Sequence, residues 1–118
     1  MTIYITDANF PSIRMDYGTY KQDKETLEFV KYFLRGEKFV SLIPSRQIAN
    51  LVSRLLGIEI PANHEIVKIK TGDVVIIFQL LGKPPEFYLP GRPPMGRILP
   101  EDELNRLPYE FMMLFKVK

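Results

Sequence analysis

Apolar positions recur along the chain with two different periods, and the switches between them predict most of the elements. Thr2–Thr6 (TIYIT) is β-branched and aromatic and predicts a short buried strand. Asp7-Ala8-Asn9 follows as a loop whose side chains can cap local N–H groups. Pro11 to Asp23 is polar and irregular and predicts a loop, with a short extended piece around Met15–Tyr20. From Lys24 to Arg35 the period becomes 3.6. Leu27, Val30, Phe33 and Leu34 share a face, Asp23 stands at the N-cap and Gly36 just past the end. Phe29, Tyr32 and Phe33 are expected to pack in the core.

Phe39–Ile43 predicts a second buried strand. Pro44-Ser45 makes a corner, and Arg46–Leu56 predicts an amphipathic helix closed by Gly57. Ile48, Leu51, Val52, Leu55 and Leu56 form its apolar stripe, with Arg46, Asn50 and Arg54 opposite. Ile58–His64 is a connector broken by Pro61 and Asn63. Glu65–Lys70 alternates and predicts a half-buried strand. Thr71–Asp73 is a turn, and Val74–Leu80 (VVIIFQL) is apolar enough for the middle of a covered sheet. These two strands are expected to form a hairpin. Leu81–Pro94 holds five of the ten prolines, so no strand continues through it. Glu101–Leu107 predicts a short helix after Pro100, and Phe111–Val117 a last strand. The order β, α, β, α, β, β, α, β predicts a single α/β domain: a five-stranded mixed sheet flanked by helices.

Composition narrows the chemistry. With 118 residues, 46% apolar and 25% charged, the chain is of single-domain size and ordinary globular make-up. No apolar run approaches the roughly 20 residues of a membrane span, and polar residues interrupt the opening strand. No membrane partner, no leader segment and a cytoplasmic location are therefore expected. The chain has no Cys and one His, so disulfides and thiolate chemistry are excluded. A zinc site is improbable, and no cofactor or metal is expected. A net charge of +2 does not predict long nucleic acid as a partner, yet it leaves room for a small anion held by a few residues.

The corner at Pro44-Ser45 is the chemically suggestive feature. A strand running into a helix aims the first N–H groups of that helix out of the carboxyl end of the sheet, where anions and ligands collect in open α/β folds. Arg46 in the first turn opposes the helix dipole by about 0.3–1 kcal/mol, a conflict that a bound anion would remove. Against this stands a purely structural reading, in which Ser45 only caps its own helix and the arginines form a solvated face.

Three segments resemble one known family: YITDANF (Tyr4–Phe10), SLIPSRQIANLVSRLLGIEIPANHEIVKIKTGDVVIIFQLL (Ser41–Leu81) and GRPPMGRILPEDEL (Gly91–Leu104). They are similar to the small archaeal-virus proteins, with bacterial and CRISPR-locus relatives, known as viral ring nucleases or type III anti-CRISPR proteins. The resemblance runs from about residue 3 to the end, apart from an excursion near Leu81–Pro90. It implies a symmetric homodimer with an α/β fold that binds cyclic tetra-adenylate across its interface. It also implies opening of that ring without metal.

Carried over residue by residue, the site has been rewritten. The family's corner, Ser-Ala-Ile-Gly-His, reads Ser41-Leu42-Ile43-Pro44-Ser45 here, so its catalytic His falls on Ser45. Its Asn-Arg pair falls on Asn63-His64. Its Thr-Asn-Ala opening falls on Thr6-Asp7-Ala8, next to Asn9. Its Arg-Leu-Pro-Glu-Gly falls on Arg92-Pro93-Pro94-Met95-Gly96, which keeps the Arg and loses the acid. The resemblance thus implies ligand contacts from Asp7, Pro44, Ser45, Asn63, His64 and Arg92, to which the first turn of the helix and the loop after the first strand add Arg46 and Asn9.

Opening a cyclic RNA without metal requires in-line attack by a 2′-OH, stabilisation of the phosphorane and protonation of the 5′-oxygen. Positioning and electrostatics supply much of the rate, and a general acid adds about 10²–10⁴-fold. A serine hydroxyl is too weak an acid for that step, so His64 is the one candidate acid, acting from a displaced position. Three readings stay open: an active ring nuclease using His64; a protein that binds or sequesters the cyclic oligoadenylate without cleaving it; and a structural or interaction protein on the same fold, with Leu81–Pro94 as its contact surface.

Overall fold

The computed structural model describes residues 1–8, 13–14, 18–81 and 106–118. Its principal sheet has five strands: β1 (Ile3–Asp7), β3 (Tyr20–Glu25), β4 (Val40–Ser41), β6 (Val74–Leu80) and β7 (Tyr109–Lys116). Their order is β3-β7-β6-β1-β4. The apolar run of β6 lies at the centre, between β1 and β7, where both faces are covered. β1 pairs in parallel with β4 and β6, while β7 is antiparallel to both β6 and β3. Four of the five strands therefore point the same way, and their carboxyl ends share one end of the sheet.

Alternation sorts the side chains of this sheet. Ile3, Ile5, Val74, Ile76, Phe78, Phe111 and Met113 face the two helices, α1 (Leu27–Leu34) and α2 (Arg46–Leu56), in one continuous core. The rings of Phe78 and Phe111 meet there at 5.3 Å and are tilted by 58°. On the opposite face Val75, Leu114 and Ile69 form a smaller cluster, backed by Ile13 and Tyr4. That cluster lies under a separate pair of strands, β2 (Ile13–Arg14) and β5 (Val67–Lys68), which run parallel to each other.

The mixed five-stranded sheet matches the expectation, but its membership does not. The polar stretch ending at Asp23 contributes β3, and Glu65–Lys70 contributes only β5, outside the main sheet. No hairpin joins β5 to β6. The Thr71–Asp73 turn is present, with Gly72 at φ 89°, and it redirects the chain from one layer into the other. Asp23 is a strand residue paired with Met113, and the cap of α1 is Thr26, whose hydroxyl accepts from Phe29 N–H at 3.1 Å. The polar pattern predicts loop here because β3 is an edge strand, where alternating Lys21, Asp23 and Glu25 need no burial.

α1 departs from the expectation in a second way. It buries Val30 and Leu34, while Phe29 remains 42% exposed and Tyr32 71% exposed. With only eight residues, the helix has one covered stripe, and these two rings lie off it. α2 follows its pattern: Ile48, Ala49, Leu51, Val52 and Leu56 are buried, and Gly57 closes it at φ 71°. Most of the Pro-rich stretch Leu81–Pro94, and the helix expected over Glu101–Leu107 as far as residue 105, lie outside the described residues. No helix among the described residues is long and apolar enough to cross a membrane.

Candidate functional site at the carboxyl end of the sheet

The strand directions bring several segments to one end. β1 finishes there at Asp7, β6 at Leu80, and β3 at Glu25, immediately before the cap of α1. β4 leads there into the corner 42–45 and then into α2. Both helices thus start at this end, with the positive ends of their dipoles on the same side.

The corner is built from the inside outward. Leu42 and Ile43 are fully buried, and Leu42 N–H extends the parallel pairing by donating to Ile5 C=O at 2.8 Å. Pro44 and Ser45 are half-buried as the chain turns. Ser45 is extended (φ −83°, ψ 120°), as an N-cap must be, and its Oγ accepts from Ile48 N–H at 3.3 Å. Its carbonyl accepts the first helical bond, from Ala49 N–H at 2.9 Å. Arg46 follows on the surface, and no acidic residue stands in the first turn of α2 to offset it.

The connector after α2 returns to this corner. Asn63 N–H donates to Ile43 C=O at 2.9 Å, and Asn63 Nδ2 donates to Ser41 C=O at 2.8 Å. Asn63 Oδ1 accepts from Glu65 N–H at 3.2 Å, an Asx-turn that carries His64 at its tip. His64 is exposed. The residues predicted from sequence are therefore brought together to this extent: Pro44, Ser45 and Arg46 form the corner, and Asn63 is bonded against it, with His64 as its exposed neighbour in the chain.

Asp7 is the end residue of β1, in register with Phe78, and it is only 1% exposed. It lies behind the rim of this end, on the helix side of the sheet. The neighbouring Thr6 points to the opposite face, where its hydroxyl is buried and has no hydrogen-bond partner among the described residues. Asn9 and Arg92 lie outside the described residues.

Sequence reasoning missed the structural use of Asn63. Its side chain and its backbone N–H turn inward, onto groups about 20 residues earlier, and only the Pro-Ala-Asn breaker composition hinted at a turn. Among the described residues no cluster of three or more His, Cys, Asp or Glu could hold a metal ion.

Fold and site together define a small α/β protein whose loops and helix N-termini gather at one end of a mixed sheet. The chain belongs to the STIV B116-like family, whose sequence model matches residues 3–111. Among solved structures it is similar to B116 of Sulfolobus turreted icosahedral virus, with a TM-score of 0.65 and 19% identity. The alignment covers 98% of this chain and 99% of that one, so the fold is shared along its whole length. Comparison with curated proteins finds no match. The family is thus one of small archaeal-virus proteins.

Proposed function

We propose that this protein is a homodimer that binds a cyclic oligoadenylate, with cyclic tetra-adenylate as first choice, at the carboxyl end of its sheet, and holds the ring without cleaving it efficiently. Its role would be to withdraw that messenger from type III CRISPR defence. The observation that carries the reading is the state of Ser45. It stands where the ring nucleases it resembles have their catalytic His, and its hydroxyl is engaged as the N-cap of α2. A hydroxyl in that role can still hydrogen-bond a phosphate, but it cannot protonate a leaving oxygen at neutral pH. Affinity comes from the positive end of α2, from Arg46 as a charge-assisted donor and, through the resemblance, from Arg92. Incubation with labelled cyclic tri-, tetra- and hexa-adenylates tests it: saturable binding with no linear product over hours is expected.

A second reading is favoured by one specific observation. The Asn63 bonds hold His64 next to the corner, where a displaced general acid would be needed. On that reading the ring is opened slowly by 2′-OH attack. His64→Ala then lowers the cleavage rate by about tenfold or more, within the range for a lost general acid. Cleavage that is untouched by His64→Ala would rule this acid out.

A further inference from the structure

β4 is an edge strand of two paired residues, and the groups along its open side must be satisfied elsewhere. The connector satisfies them. Ser41 Oγ donates to Pro61 C=O, Asn63 Nδ2 to Ser41 C=O at 2.8 Å and Asn63 N–H to Ile43 C=O at 2.9 Å. Farther back, Ser53 on α2 donates to Ala49 C=O at 2.7 Å, and its Oγ accepts from Ile60 N–H at 2.9 Å, which ties the same connector to the middle of the helix. The segment is therefore fastened to both sides of the corner: to β4 before it and to α2 after it. Ile60, buried at 2% exposure, anchors it in the core.

We propose that Asn63 is the positioning residue of this site rather than one of its ligand contacts. By strapping the connector across the edge of β4, it sets the angle at which the chain enters α2. It thereby holds the helix N-terminus, Arg46 and His64 as one rigid unit. The polar atoms of Asn63 that would otherwise meet a ligand are already engaged, Nδ2 inward by Ser41 C=O and Oδ1 at the surface by Glu65 N–H. Ser41 belongs to the same strap and is itself only 4% exposed, too buried to touch a ligand. Loss of such a bond is enough to raise local opening of the corner about tenfold, while the burial of Leu42 and Ile43 keeps the strand itself in place.

The part of this inference that concerns affinity rests on the proposed cyclic-nucleotide reading, and the experiment separates the two. Amide hydrogen exchange is followed in the free protein for wild type, Asn63→Ala and Ser41→Ala, with Asn63→Ser in reserve should the alanine variant fold poorly. Exchange across residues 42–48 is expected to accelerate about tenfold in Asn63→Ala while residues 27–34 of α1 keep their wild-type rates. Unchanged exchange at 42–48 overturns the proposal. Calorimetry with cyclic tetra-adenylate is the second arm. Both single variants are expected to weaken binding, Asn63→Ala by about tenfold, and the double variant by less than the product of the two, since they act through one strap. A residue that only contacts ligand would weaken binding in Asn63→Ala and leave Ser41→Ala and the exchange rates alone, and that pattern also overturns the proposal. Wild type that fails to bind defeats the cyclic-nucleotide reading, and the exchange result then decides the strap by itself.

Discussion

The two ends of the sheet treat their polar groups differently. At the amino end, the buried acid Asp73 is consumed by the fold: its Oδ1 accepts from Thr2 N–H at 3.1 Å and its Oδ2 from Lys70 N–H at 2.9 Å. Gly72 N–H closes the same turn onto Lys116 C=O. At the carboxyl end, Arg46 and His64 face solvent, with helix dipoles converging behind them. One end is finished by its own contacts. At the other, the first turn of α2 carries Arg46 and no acidic residue, an arrangement that a bound anion would complement. The contrast is the reason the proposed site is set at the carboxyl end, although both ends are rich in turns and charge.

The sharpest way to break this contrast is to restore the missing acid. Ser45→His places an imidazole where the resembling ring nucleases have theirs. It is expected to raise cyclic tetra-adenylate cleavage by about 10²-fold or more, measured as linear product per hour. No gain would mean that the corner does not present a phosphate in line.

Asp73→Ala probes the other end. It removes both acceptors from a buried turn and is expected to lower stability by about 2–3 kcal/mol in urea unfolding, with ligand affinity unchanged once the protein is folded. A comparable loss of affinity would show that the two ends are not separable. Arg46→Glu is the smallest change in stability and the most informative in sign. An acid in the first turn of α2 should stabilise the free protein by about 0.3–1 kcal/mol while weakening the binding of an anionic ring. Destabilisation, or tighter binding, would remove Arg46 from the account.

The sequence already carried the parts of this molecule that have a single dominant period. α2 was legible because its apolar stripe, its Ser cap and its terminal Gly agree, and β6 because seven consecutive residues suit a strand covered on both faces. β3 was not legible. Its residues acquire their meaning from pairing with β7, some 90 positions away, and an edge position tolerates alternating charge. The site shows the same division. The Pro44-Ser45 corner could be read locally, and so could the first-turn Arg46. The inward commitment of Asn63 depends on carbonyls at Ser41 and Ile43 that no local pattern reveals. Phe29 and Tyr32 stay exposed on α1, which the pattern does not reveal because periodicity assigns a stripe but not how far a neighbouring element extends over it.

The central claim is that this end of the sheet holds a cyclic oligoadenylate, and titration calorimetry of the wild-type protein with cyclic tetra-adenylate tests it most directly. Saturable binding at micromolar concentration or tighter, with one ring per two chains, is the predicted result. The absence of any binding heat at micromolar protein, with a chain that sediments as a monomer, would contradict it.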